Sequence, residues 1–205
     1  MIAVPGRVML PHQYLKKLLV TWNWVLTRHD NESYNLRIGK FSIKITPYFF
    51  NVIYGEWLDW KRYYLPFSLK GKTILDVGAG CGETALFYFL RGAKRVVCVE
   101  PDRHLSEIIK ENIHTNAWNA EVLNRQFDLD LFDIQFDFMK MDCEGCETKL
   151  FNATLLPPCV IEVHDEQVLA ALKAVFNLSL GAGSLQYLIG VSQRRKRQVN
   201  DESAM

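Results

Sequence analysis

Residues 72–102 constrain the fold more than any other stretch of this chain. They read in order as strand, glycine-rich turn, helix, strand and acidic residue. The apolar run 72–77 predicts a strand buried on both faces of a parallel sheet. A helix is predicted over 83–91 and a second strand over 95–99, with Glu100 directly after it. This is the order of half a mononucleotide-binding α/β unit, in which such a carboxylate accepts hydrogen bonds from ribose hydroxyls.

The turn carries glycines at 78, 80 and 82, one residue tighter than the G-x-G-x-x-G of dinucleotide-binding proteins. Glycine lets the backbone lie close to a ligand there. Asp76 and Glu83 bracket the turn with negative charge, which opposes a phosphate and favours a cationic ligand. The pattern therefore predicts a positively charged ligand without phosphate. The alternative is an α/β domain that binds nothing in this crevice.

The runs DVGAGCGET and VVCVEPD resemble the first two motifs of class I S-adenosylmethionine-dependent methyltransferases. The resemblance implies S-adenosyl-L-methionine as cofactor, which carries a sulfonium and an ammonium. It also implies a Rossmann-like, doubly wound and mostly parallel α/β sheet with an antiparallel C-terminal edge strand. The cofactor-binding residues implied are Asp76, Gly78, Ala79, Gly80, Glu100, Pro101, Asp128 and Asp142, with Asp128 or the adjacent Phe127 at the adenine.

A second constellation, FDFMKMDCEGCE at 136–147, places Asp142 and Glu144 after another predicted strand. That strand is expected beside the glycine-rich one, so both acids should lie in the crevice where open α/β sheets bind ligands. The segment resembles the lysine-x-aspartate-x-glutamate-glycine-x-glutamate signature of FkbM-type methyltransferases, and the following VIEVHD fits as well. The family positions are occupied by Lys140, Asp142, Glu144, Gly145, Glu147 and Glu162. The resemblance implies O-methylation of a hydroxyl on a small-molecule, sugar or lipid-like acceptor.

Three residues are candidates for catalysis: Asp142, Glu144 and His164. Asp142 is expected to orient cofactor or acceptor, and Glu144 to act as a base. His164 follows the predicted fifth strand, and the near-neutral pKa of an ordinary histidine suits base catalysis. A surface or interface histidine is an equal alternative for His164. No metal is assigned, although the paired acids could hold Mg²⁺.

The 205 residues, with a formal net charge of +1, fit one enzyme-sized domain with no global attraction to nucleic acid or anionic membranes. Residues 1–70 are expected to form an extension of helix (12–26), hairpin (around 39–40) and helix (49–60) that packs on the core as a cap or lid. Residues 71–193 form the predicted cofactor-binding domain, and 194–205 a basic tail.

The second half of the domain continues the α/β alternation. A helix is predicted from Pro101 to about residue 116, and a weak strand over 120–123. Residues 125–135 are too few and too acidic for a crossover helix. Further strands are predicted over 136–141 and 159–163, then a helix over 167–176 and an antiparallel strand over 185–192.

The five cysteines, at 81, 98, 143, 146 and 159, are interpreted as buried and reduced. Cys143 and Cys146 form a C-x-x-C, which leaves open redox chemistry or half a zinc site. No secretory signal and no apolar run of membrane-spanning length is recognised, so a cytoplasmic protein without a membrane partner is expected.

Two other functions stay open. The cluster RRKR at 194–197 and the aromatic N-terminal region are compatible with an RNA methyltransferase. However, DCEG stands where enzymes that methylate base amino groups carry an NPPY-type motif. A non-catalytic S-adenosylmethionine-binding protein is the third reading. The sequence is silent on the oligomeric state.

Overall fold

The computed structural model describes residues 24–28, 33–176, 178–180 and 187–193. Its N-terminal part is a small antiparallel sheet followed by two helices. The elements are β1 (Trp24–Arg28), β2 (Tyr34–Ile38), β3 (Phe41–Ile45), α1 (Pro47–Glu56) and α2 (Trp60–Tyr63). The hairpin predicted around Gly39 and Lys40 is the β2–β3 pair, and α1 with α2 occupies the region of the second predicted helix.

The helix predicted over 12–26 is wrong at its C-terminal end, where residues 24–26 begin β1. Leu26 pairs with Leu36 of β2, so pairing with the hairpin overrides the helical spacing of the apolar residues. Trp24 is buried while Val25 is 40% exposed, which is the alternation of a strand. Residues 12–23 lie outside the described residues.

The main sheet has seven strands in the order β6-β5-β4-β7-β8-β10-β9. Pairs from β6 to β8 are parallel, and β10 is antiparallel to both β8 and β9. The mostly parallel, doubly wound α/β sheet is therefore confirmed. The strands are β4 (Thr73–Val77), β5 (Arg95–Val99), β6 (Ala120–Leu123), β7 (Phe138–Met141), β8 (Leu155–Glu162), β9 (Ser179–Leu180) and β10 (Tyr187–Gln193).

One detail of the sheet differs from the prediction. The antiparallel strand β10 is not at the edge, because the chain first passes through β9, whose Leu180 pairs with Leu188 on the outer side of β10. Only two residues form β9, which is too short to recognise in a sequence.

The connections place helices on both faces of the sheet. They are α3 (Glu83–Phe89), α4 (Arg103–Asn116), a 3-10 helix (Leu129–Asp133), a second 3-10 helix (Cys146–Asn152) and α5 (Glu166–Val175). The short 3-10 helix between β6 and β7 replaces a full crossover helix, as the acidic stretch 125–135 predicts. The parts of the chain that the structure describes contain no helix long and apolar enough to span a bilayer.

Two asparagines of α4 attach the N-terminal sheet to the main one. The Asn112 side chain accepts a hydrogen bond from the Lys44 amide at 2.6 Å and donates to the Lys44 carbonyl at 2.9 Å. It also donates to the Cys81 carbonyl in the glycine turn at 2.8 Å. One turn later, Asn116 makes the same pair of bonds with the backbone of Ser42. The N-terminal hairpin and the glycine turn are thereby held by one helix.

Candidate active site

The carboxyl ends of β4, β5 and β7 open onto a cavity of about 640 Å³. This is the size of a typical small-molecule site. The strand order reverses around β4, and ligands of open α/β sheets bind at such a switch point. Of the residues predicted to contact cofactor, the cavity wall contains Gly78, Gly80, Glu100, Pro101 and Asp142. The extension adds Tyr48, Phe49, Val52, Trp60 and Tyr64.

The glycine turn is packed too closely for side chains. Gly78 and Gly80 both have positive φ, at 73° and 56°. A Cβ on Gly78 would lie 1.7 Å from the Asp142 carbonyl oxygen, and one on Gly80 would lie 2.6 Å from a ring carbon of Phe49. The turn thus contacts both the loop after β7 and α1, and both contribute residues to the cavity wall.

Glu100 is fixed at the end of β5. Its Oε2 accepts a hydrogen bond from the Gly80 amide at 3.0 Å, and its Oε1 accepts one from the Asp102 amide at 2.9 Å. Burial raises the pKa of Glu100, and these two amides act in the opposite direction. Each carboxylate oxygen can accept a further hydrogen bond, so the group is oriented without being saturated.

Beneath the turn lies a buried ion pair. The Lys140 Nζ is 3.3 Å from Asp76 Oδ1 and donates to the Gly78 carbonyl at 2.7 Å, while Thr84 Oγ1 donates to Asp76 Oδ2 at 2.5 Å. Asp76 and Lys140 are essentially inaccessible to solvent. Asp76, although predicted to bind cofactor, is not in the cavity wall, and neither is the buried Ala79. Both residues support the turn, and their predicted contact with cofactor stays a prediction.

The predicted catalytic residues come together at the end of β7 and β8. His164 Nε2 lies 3.5 Å from Asp142 Oδ1 and 3.6 Å from Glu144 Oε1. On the other side of the ring, Nδ1 lies 3.8 Å from Oε1 of the buried Glu147. Glu147 above all, then Asp142 and Glu144, raise the pKa of His164 to about 9, against the opposing effect of burial. The imidazole is therefore cationic at neutral pH, and the ordinary pKa behind its expected role as a base does not apply.

The same three side chains could hold a divalent cation once the histidine has lost its proton. One donor atom from each of Asp142, Glu144 and His164 lies within 4.8 Å of the others. Oxygen and imidazole donors suit several divalent metals. When His164 is protonated, the same arrangement is a cluster of ion pairs between the imidazolium and the two carboxylates.

Tyr64 was missed in the sequence. It is buried, and its hydroxyl lies 3.2 Å from Asp142 Oδ2 and 3.0 Å from Glu162 Oε2, so it donates to one carboxylate at a time. The only signal was the aromatic richness of the extension, which does not distinguish a tyrosine at a site from one in a core.

Cys143 and Cys146 are joined by a disulfide, and both line the cavity. The interpretation as reduced thiols is wrong for this pair because the C-x-x-C turn brings the two Cα atoms to 5.5 Å, a distance that a disulfide spans. Cys81, Cys98 and Cys159 are buried thiols, as predicted.

Asp128 is not in the cavity wall. Its carboxylate accepts from the Leu129 amide at the start of the 3-10 helix and lies 3.6 Å from Lys149. The neighbouring Phe127 does line the cavity. The basic cluster 194–197 lies outside the described residues.

No protein-family model matches the chain, so the FkbM-type assignment stays a prediction. Uncharacterized protein 65 of Sulfolobus islandicus filamentous virus (isolate Iceland/Hveragerdi) is 32% identical over 118 residues, which are 53% of this chain and 68% of that protein. Uncharacterized protein 158B of Sulfolobus islandicus rod-shaped virus 1 is 30% identical over 112 residues, 53% of this chain and 71% of that protein.

The chain is also similar to methyltransferases. The ribosomal protein L11 methyltransferase of Thermotoga maritima is 36% identical over 92 residues, 42% of this chain but only 33% of that enzyme. Among solved structures, ribosomal protein L11 methylase from Lactobacillus delbrueckii subsp. bulgaricus is 20% identical and covers 62% of this chain and 72% of its own, with a TM-score of 0.45.

Proposed function

The chain belongs to one family with the two uncharacterised Sulfolobus virus proteins, and we propose that it is an S-adenosylmethionine-dependent methyltransferase. The observation that carries the proposal is Glu100, which is bonded to the glycine turn through the Gly80 amide and faces a cavity of about 640 Å³. A carboxylate at this point of an α/β unit is suited to ribose hydroxyls. The partial similarity to the Thermotoga enzyme supports the same activity class.

The charges around the cavity favour a cationic nucleoside. Glu100, Asp142 and Glu144 line it as acids, against Lys140 and Lys149. The Lys140 charge is already engaged by the buried Asp76. A fourth acid, Glu83, has its pKa raised to about 8 by burial, so it is largely protonated at pH 7 and available to ionise beside a cation. A phosphate would meet more negative than positive charge in this cavity.

When bound, the cofactor supplies an electrophilic methyl group. Glu100 would accept hydrogen bonds from the ribose, and the backbone of Gly78 and Gly80 would lie along the amino-acid end. Phe127 and Pro101 offer apolar surface for the base. The chain's main task is then to align an acceptor with the methyl group, since a displacement of this kind depends on position and direction.

The acceptor is proposed to be a hydroxyl of a small molecule, sugar or lipid-like compound. Asp142 and Glu144 are the carboxylates that could take its proton. Asp142 is oriented by Tyr64 and lies 3.5 Å from the cationic His164, whereas Glu144 is exposed. Since the His164 imidazole holds a proton at neutral pH, its proposed role is to orient the two acids and to stabilise their charge.

Calorimetry with S-adenosylhomocysteine tests the proposal. Wild type should bind, and Glu100→Gln should bind about tenfold or more weakly, because the amide replaces one acceptor oxygen with a donor. Glu121→Gln is the matched control: this acid lies on β6 and pairs with Arg95 at the surface. No heat with S-adenosylmethionine or its demethylated product, alongside heat with NAD or ATP, would overturn the assignment.

The catalytic part of the proposal has its own test. With saturating S-adenosylmethionine, Asp142→Asn and Glu144→Gln should lower methyl transfer in a screen of hydroxyl acceptors by about 10² or more, the usual size of acid–base catalysis. If cofactor binds and both variants methylate every accepted compound at the wild-type rate, these acids are not catalytic. If cofactor binds and no acceptor is found, the non-catalytic reading gains support.

A further inference from the structure

Cys143 and Cys146 enclose Glu144 and Gly145 in a four-residue loop closed by a disulfide in the cavity wall. The proposed methyl-transfer reaction does not use this disulfide. Both cysteines are partly exposed, in contrast to Cys81, Cys98 and Cys159, which are buried. A small thiol can therefore reach the bridge through the cavity, and reaction should be selective for this pair.

The bridged loop has an unusual backbone. Glu144 has φ 54°, in the left-handed region that a residue with a side chain rarely adopts, and Gly145 has φ 117°. The Gly145 amide donates to Glu147 Oε2 at 2.8 Å. Conformations of this kind persist only where the surroundings hold them. The disulfide is a covalent restraint on the loop that keeps Glu144 in the cavity wall.

The loop is in direct contact with the glycine turn. The Asp142 amide donates to the Val77 carbonyl at 3.0 Å, and the Asp142 carbonyl occupies the space that a Cβ on Gly78 would need. The Cα of Cys143 would lie 3.2 Å from that same Cβ on Gly78. A change in the conformation of the loop should therefore alter the packing of the glycine turn directly.

We propose that Cys143 and Cys146 form a reversible thiol–disulfide site whose oxidised state shapes the cavity for cofactor. In the reducing direction, a thiolate of an external dithiol attacks one sulfur and the S–S bond breaks. A second attack within the mixed disulfide releases the protein dithiol, so that two electrons and two protons pass to the cysteines and the reductant becomes a disulfide. Reduction should let Glu144 leave the left-handed region and the loop loosen against Gly78. The effect on cofactor rests on the proposed function.

The experiment compares the full chain as the oxidised protein and after dithiothreitol. Native alkylation with iodoacetamide followed by peptide mass analysis should label Cys143 and Cys146 only after reduction. S-adenosylhomocysteine should bind about tenfold more weakly to the reduced protein, which corresponds to about 1.4 kcal/mol. Cys143→Ser/Cys146→Ser should bind like reduced wild type with or without dithiothreitol. Cys159→Ala, a buried cysteine of β8, should keep the full redox response.

Hydrogen exchange at the Gly145 amide gives a readout that needs no ligand and no variant. Its protection should fall on reduction of wild type. Alkylation of both cysteines without reductant would overturn the proposal, as would a change in affinity below twofold or a tighter reduced state. If neither state binds S-adenosylhomocysteine, the proposed function fails. Hydrogen exchange at the Gly145 amide then tests the proposed redox site by itself. A loss of protection on reduction supports the site, and unchanged protection overturns it.

Discussion

Lys140 and Asp76 form an ion pair in the centre of the sheet, with both side chains at or near zero exposure. Lys140→Met should lower the free energy of unfolding by about 3–5 kcal/mol, because it leaves a buried carboxylate without its cation. Urea denaturation measures the change. Lys72→Met is the matched control: its partner Asp137 is also an acid, at 3.0 Å, but both are exposed, so a loss of at most about 1 kcal/mol is expected. Equal losses in the two variants would contradict this view of the pair.

His164 gives a prediction about pH. Its folded-state pKa of about 9 lies above the ordinary value of 6.5, so its stabilising contribution is complete below about pH 6.5 and is lost as the pH rises through 9. Glu83, with its pKa raised to about 8, also binds its proton more tightly in the folded state and lowers stability as the pH rises. Thermal unfolding of wild type should therefore show a falling Tm from pH 6.5 to 9.

His164→Gln isolates the contribution of the histidine: its Tm should fall less steeply over that pH range, because the Glu83 contribution remains and the His164 contribution is lost. His104→Gln, on the first turn of α4, is the control and should keep the wild-type slope. A slope in His164→Gln identical to that of wild type would show that Glu147, Asp142 and Glu144 do not hold the imidazole proton.

At this scale, the sequence locates the acids that follow a buried strand. Glu100 and Asp142 are found because the carboxyl ends of parallel strands meet at one edge of the sheet. Tyr64 could not be found in this way, since it arrives from the extension and its partners are 78 and 98 residues away along the chain. The Asp128 carboxylate caps a 3-10 helix that periodicity does not reveal, and its contact with the adenine stays a prediction.

Among the elements, α4 has the most consequential position. Its Asn112 is almost fully buried and bonds to Lys44 of the N-terminal sheet and to Cys81 of the glycine turn. Asn112→Ala should cost about 1–3 kcal/mol of stability, because backbone groups of both segments lose their partner in a buried place. Glu107→Ala, on the same helix but exposed, is the control and should leave the free energy of unfolding close to the wild-type value.

Hydrogen exchange can distinguish a general loss of stability from a local one in Asn112→Ala. Protection should fall most at the Lys44 amide, which donates directly to the Asn112 side chain. Uniform loss over all amides would mean that the asparagine stabilises the fold without attaching the N-terminal sheet.

Strands and helices of the main sheet follow from their apolar runs and from the glycines and acids between them. The failures are at elements whose structure is set by a distant partner. Residues 24–26 have helical spacing, yet Leu26 pairs with Leu36 in a sheet. The edge strand β9 consists of two residues, fewer than any periodicity needs.

Across the described molecule, the cavity is a joint product of the extension and the main sheet. Tyr48, Phe49 and Tyr64 of the extension line it together with Glu100 and Asp142 of the main sheet. The sequence predicts each wall separately, but the volume between them depends on how the walls pack. The predicted role of the extension as a cap or lid stays a prediction, whereas its contribution of aromatic side chains to the cavity is part of the structure.

A crystal structure of the oxidised protein with S-adenosylhomocysteine tests the central claim most directly. The account predicts ligand density in the cavity, with both ribose hydroxyls within hydrogen-bonding distance of the Glu100 carboxylate and the sulfur on the side of Asp142 and Tyr64. Density at another surface, or a ribose in the cavity with no contact to Glu100, would contradict it.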